Sequence, residues 1–189
     1  QYTLASEGKA AAILSRFPLS EARLEASFFR VAAVVEGETI ALYNVSLPAP
    51  FRSTPRRLLY VVHPVINPLW DLVWGYDERW RNRELGQLLE QVKRESRMTV
   101  VAGDFNLSEF TGLYEQWSAE MRDSFREGGV GLGATWGALK CCPFPPVVRL
   151  DYIWHSGDLR TLSAEVGSDL GSDHLPVLAT LARYGEDAG

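Results

Sequence analysis

The stretch Thr99-Val-Val-Ala102-Gly103-Asp104-Phe105-Asn106 constrains this chain more than any other. Its β-branched opening predicts a buried strand, because such side chains pack well on a pleated surface. Gly103 permits a sharp exit from that strand. Asp104 and Asn106 follow two positions apart, and at extended spacing residues i and i+2 project to the same side. A carboxylate and a carboxamide converging at a sheet mouth suit a bound cation, an activated water or a phosphate oxygen. Asp and Asn are also ordinary turn residues, so a strand ending in an Asx turn is the competing reading.

The remaining chain supplies more strands than helices. Phe28 to Val35 and Thr39 to Val45 are β-rich runs joined by Glu36-Gly37-Glu38, a hairpin pattern that Pro48 and Pro50 close. Leu85, Leu88, Leu89 and Val92 fall at helical spacing within Asp77 to Glu95. A second helix is predicted over Phe110 to Met121, and Gly128 to Gly133 reads as a turn region. Val147 to Trp154, Leu162 to Val166 and Leu175 to Leu181 are the further strands; His155, just past an alternating run, is expected to face solvent. The irregular stretch from Phe51 to Tyr76 carries Trp70 and Trp74. It reads either as a loop packing its aromatics on the core or as a surface that makes weak membrane contact or covers a cleft. With 189 residues the chain can bury a large core, and residues 1–189 are read as one domain.

A net charge of −5 argues against a generic basic nucleic-acid binder. It leaves phosphate substrates open, since a divalent cation supplies positive charge locally. Cys141 and Cys142 are adjacent and are the only cysteines, too few for a structural zinc site. No signal-peptide pattern opens the chain, and Gln1-Tyr2-Thr3 reads as the start of a fragment or processed product. Nothing in the sequence fixes a compartment.

Two later segments join the first in carrying chemistry. Arg149-Leu-Asp151-Tyr-Ile-Trp154 sets a carboxylate inside an apolar strand, where it needs a hydrogen-bonding partner. Gly171-Ser-Asp173-His174-Leu-Pro176 is a tight turn presenting two polar side chains. Together the three look like the parts of metal-dependent phosphoester hydrolysis, which needs a cation, a base for water and donors for the transition state. An oxygen-rich site without thiolates suits Mg2+ or Mn2+.

In this order the three motifs resemble the endonuclease/exonuclease/phosphatase (deoxyribonuclease I-like) superfamily. Smaller matches are Ala12-Ile-Leu-Ser-Arg-Phe-Pro18, Leu42-Tyr-Asn-Val45 and Ala134-Thr-Trp136. The resemblance covers the chain as the later two-thirds of such a domain. It implies an α+β fold, a four-layer α/β/β/α sandwich of two mainly antiparallel sheets, incomplete at the N-terminus. It further implies that Asp104 orients and deprotonates the attacking water, that Asn106 holds the phosphate, and that His174 contacts a non-bridging oxygen or acts as acid/base. Asp151 would fix the His174 tautomer, and Asp173 with Asp104 would ligate the metal. The implied function is hydrolysis of a phosphate ester, whether nucleic acid, phosphoinositide or another phosphodiester. The alternative is a catalytically impaired relative that serves as a binding or membrane-associated module.

Two departures bear on that choice. The family's opening Asn strand and metal-binding Glu strand are not matched, which implies poor cation affinity and leaves sheet edges to be covered by a separate N-terminal piece or a second copy. Ser46 stands where many relatives carry a strand-end His. His63, in Val-Val-His-Pro64, is the candidate substrate-binding replacement, against the plainer reading of a loop histidine.

Overall fold

The computed structural model describes residues 12–50, 77–137 and 146–185, together with the backbone of 2–5. His63, Trp70, Trp74, Cys141 and Cys142 lie outside the described residues.

The organising layer is a six-stranded sheet. It comprises β3 (Leu19–Leu24), β4 (Phe28–Val35), β5 (Glu38–Ser46), β6 (Thr99–Asp104), β7 (Arg122–Asp123) and β8 (Asp151–His155), in the order β3-β4-β5-β6-β8-β7. Every neighbouring pair is antiparallel except β5 and β6, which run parallel. β4 and β5 form the expected hairpin. Its turn residues Glu36 (φ 51°) and Gly37 (φ 89°) both take positive φ, the conformation whose twist matches the flanking strands. Two further antiparallel pairs accompany the sheet among the described residues: β1 (Tyr2–Ala5) with β2 (Ala12–Ser15), and β9 (Leu159–Val166) with β10 (Val177–Arg183).

Three helices connect these strands among the described residues: α1 (Arg79–Lys93), α2 (Gly112–Glu120) and the single turn α3 (Ser124–Gly128). Leu85, Leu88, Leu89 and Val92 of α1 bury against Ala41, Tyr43, Val45 and Val101 of the sheet. Trp117 of α2 closes the same core, edge-on to Phe105 at 5.2 Å and 5.8 Å from the Trp154 ring. Such aromatic contacts add to plain area burial and fix the relative placement of α2, β6 and β8. This is the mainly antiparallel sandwich architecture expected from the sequence, with one parallel pair at its centre.

Alternation along the strands divides the sheet faces. Tyr43, Val101, Tyr152 and Trp154 face the helices, while Asn44, Ala102, Asp104, Asp151 and Ile153 lie half-buried on the other face. The edge strand β3 exposes Ser20, Glu21 and Arg23 and carries a register irregularity, with Glu21 at φ 52°. Charge and a bulge discourage strand addition, so pairing through this edge meets a blunted surface. Among the described residues no helix is long and apolar enough to cross a membrane.

Candidate active site

The site begins with a register. β5 and β6 pair Ser46 with Asp104, and β6 and β8 pair Asp104 with Asp151, so three polar residues form one row at the rim of the sheet. Gly103 makes the row possible. At φ 141° its backbone approaches β5 so closely that a Cβ would lie 2.0 Å from the Val45 carbonyl oxygen. The rim is then sewn beyond the strands by Leu47 N–H to Asp104 O (2.9 Å) and Phe105 N–H to Leu150 O (3.0 Å).

His174 reaches this row through the segment that precedes β8. Trp136 bridges both Val148 and His174, and Leu175 N–H donates to Thr135 O at 2.8 Å. The fully buried Thr135 hydroxyl accepts from the backbone N–H groups of Leu150 (3.2 Å) and Asp151 (3.3 Å). The turn is thereby pinned so that His174 Nδ1 lies 2.7 Å from Asp151 Oδ2. This is the partner that a carboxylate in an apolar strand requires. Asp104, Asp151 and His174 each offer a ligand atom within 4.8 Å of the others.

Asn106 sits at φ 45°, a left-handed conformation that Asn tolerates better than most residues. Its backbone N–H donates to Asp104 Oδ1 at 2.8 Å, the Asx turn of the competing reading. Its Nδ2 donates to Asp104 Oδ2 (2.8 Å) and to Leu47 O (2.7 Å). Both partners are acceptors, so the amide orientation is set by chemistry, and both side-chain N–H bonds are engaged. As placed, Asn106 orients Asp104 directly; holding a phosphate requires it to exchange one of these acceptors.

The electrostatics follow first from burial at the rim and then from the charges gathered there. Burial pushes the Asp104 carboxyl up from 3.8 to about 6; the Asn106 N–H pulls it down, Asp151 pushes it up, His174 opposes and Asp173 adds to the rise. His174 is raised above its ordinary 6.5: burial works against its charge, but the Asp151 hydrogen bond and the charges of Asp151, Asp104 and Asp173 outweigh it. A carboxylate held up by burial and by neighbouring negative charge is one that a cation would relieve. Asp104 and Asp151 converge here as oxygen donors suited to a hard divalent ion, with Asp173 on the wall of the adjoining cavity. The residues present therefore fit such a group.

A cavity of about 420 Å3 opens beside the row, lined by Arg81, Asn106, Trp136, Leu150, Asp173 and His174 among others. Asp173 is exposed and lines it without joining the tight group of Asp104, Asp151 and His174. Ser46 is exposed at its end of the row.

One expectation is overturned. His155 is not solvent-facing but fully buried, with Nε2 2.8 Å from Glu127 Oε2 and 3.0 Å from Thr161 Oγ1, and Nδ1 3.0 Å from Ser156 O. Alternation assigned it correctly to the face of Asp151 and Ile153, but α3 and β9 cover that end of β8. Arg81 was missed altogether. Its signal was present: it falls on the apolar stripe of α1 with Leu85 and Leu88, where a charged residue needs a reason.

A row of acid groups with a carboxylate-held imidazole, set at the rim of a sandwich, defines the class of site. The sequence profile of the Endonuclease/Exonuclease/phosphatase family matches residues 6–174. The chain belongs to that family. Its fold is similar to an endonuclease/exonuclease/phosphatase from Beutenbergia cavernae (TM-score 0.60, 22% identity, 91% of this chain and 47% of that one). It is also similar to the human Nocturnin catalytic domain (TM-score 0.57, 19% identity, 89% and 60%). A third likeness is to a mannosyl-6-phosphatase from Bacteroides thetaiotaomicron (TM-score 0.58, 15% identity, 82% and 55%). The chain spans about half the length of such structures, 54% of the relative from Bacteroides vulgatus, for example. No curated protein sequence matches it.

Proposed function

We propose that the chain carries the hydrolytic site of a divalent-metal-dependent phosphoesterase. The observation that carries this reading is the meeting of Asp104, Asp151 and His174 from separated segments within 4.8 Å. Asp104, with both of its oxygens fixed by Asn106, is aimed to orient the attacking water and take its proton. His174, kept protonated by Asp151, donates to a phosphoryl oxygen or to the departing alkoxide. Asp104 and Asp173 would hold Mg2+ or Mn2+, with Asp151 alongside. When bound, the ion offsets phosphoryl charge and lowers the pKa of its water. Nucleic acids and phosphosugars are the substrate classes that the similar proteins' names, endonuclease/exonuclease/phosphatase and mannosyl-6-phosphatase, bring forward.

The test is turnover of a panel of phosphomonoesters and phosphodiesters by the full chain, with Mg2+, Mn2+ or chelator. The expected result is metal-stimulated hydrolysis that disappears in Asp104→Ala and His174→Ala. An inactive wild type across the panel, or an active double variant, counts against the proposal.

A further inference from the structure

Resting on that reading of the site, we infer that Arg81 is a positioning residue: its guanidinium holds the Asn106 backbone in the left-handed turn that aims Asn106 and, through it, the Asp104 carboxylate. Arg81 is 3% exposed, on the buried stripe of α1. Helix packing alone gives no cause for a charge there; a leucine would serve that face as well. The fork is instead spent in two directions. On the helix side, Nη2 meets Glu78 Oε1 at 3.0 Å, while Nη2 and Nε donate to Asn82 Oδ1 at 3.0 and 3.2 Å. On the site side, Nη1 donates to the Asn106 carbonyl oxygen at 2.5 Å.

That carbonyl belongs to the one residue of the Asp104 loop with positive φ among Phe105 to Phe110. A non-glycine residue in that region is strained and persists only where its surroundings hold it. Asn106 is held from both ends: its side chain by Asp104 and Leu47, its carbonyl by Arg81. Releasing the carbonyl lets the peptide rotate, and the two bonds to Asp104 rotate with it. Arg suits this task where Lys does not, since only a planar fork serves Glu78, Asn82 and Asn106 at once.

The experiment uses the full chain. In 15N-labelled wild type, the Asn106 side-chain NH2 resonances are expected to be shifted and slow to exchange, because both protons are hydrogen-bonded. Arg81→Met is expected to move and average them, and to lower kcat about 10- to 100-fold with little change in KM. In an Asn106→Ala background the same substitution should add less than about 2-fold, since one acts through the other. Arg81→Lys should give an intermediate loss. Should Arg81→Met not fold, Glu78→Ala decides: it removes the acceptor on one side of the fork and should lower kcat about 3-fold while shifting the Asn106 amide. Unmoved Asn106 resonances with unchanged kcat, or fully additive effects, overturn the inference. A wild type inactive on every ester removes the proposed function instead, and leaves the amide resonances to judge the clamp.

Discussion

Arg149 and Asp151 are two residues apart in sequence and belong to opposite kinds of polar cluster. Arg149 is 5% exposed and meets Asp123 (2.7 Å) and Glu109 (2.8 Å), while its guanidinium carbon lies 4.6 Å from the Tyr152 ring centroid. Arg126 also pairs with Glu109, so two cations offset two carboxylates there. Asp151 sits instead with Asp104, Asp173 and one imidazole, half-exposed and short of positive charge. The balanced cluster anchors α2, α3 and β8; the unbalanced one is where we place the proposed hydrolytic site. Charge balance, more than burial, separates scaffold from site.

The largest expected effects set the two clusters apart. Asp104→Ala and His174→Ala should each lower hydrolysis by about 1,000-fold or more. Melting temperature should be unchanged or raised in Asp104→Ala and modestly lowered in His174→Ala, which strips Asp151 of its imidazole partner. Arg149→Met should do the reverse, costing about 3–5 kcal/mol of stability because two carboxylates lose their buried partner. Parallel rate and calorimetry measurements check both. Asp151→Asn is expected to lower kcat about 100-fold and return the His174 pKa toward 6.5, read from the imidazole NMR titration.

Smaller effects concern pH. Asp104 has a folded pKa above its ordinary 3.8, so charging it costs stability increasingly until pH passes about 6. His174 has a folded pKa above its ordinary 6.5, so its ion pair contributes fully below that value and is lost as pH rises through the raised one. Both effects run the same way. In chelator, the chain should therefore lose about 1–3 kcal/mol between pH 5.5 and pH 8, measured by denaturant titration. Asp104→Asn should flatten that slope. Adding Mn2+ at pH 8 should restore about 1–3 kcal/mol at saturating concentrations, and less at pH 5.5 where the site is protonated. Equal stabilisation of wild type and Asp104→Asn by Mn2+ would place the ion elsewhere.

Much of this was legible in the sequence. Period-two runs and a Glu36-Gly37 turn marked β4 and β5, and the leucine stripe marked α1, because each pattern spans several residues. The three motifs named Asp104, Asp151 and His174, and for Asp151 the need of a carboxylate in an apolar strand for a partner pointed the same way. What was not legible depended on tertiary covering. β3 alternates poorly because most of it is exposed, and α3 is one turn, capped by Asp123, too short for any period. The burial of His155 follows from α3 and β9 closing over it, which no local pattern records. Thr135 lay within a matched segment, but its hydroxyl acts on backbone groups fifteen and sixteen residues away.

The most direct test sets wild type beside Asp104→Ala, measuring initial rates on bis-para-nitrophenyl phosphate with and without Mn2+, with melting curves on the same samples. The account expects a Mn2+-stimulated rate in wild type and none in the variant, which melts no earlier. Equal rates in the two proteins, or a variant that loses activity only because it unfolds, would contradict it.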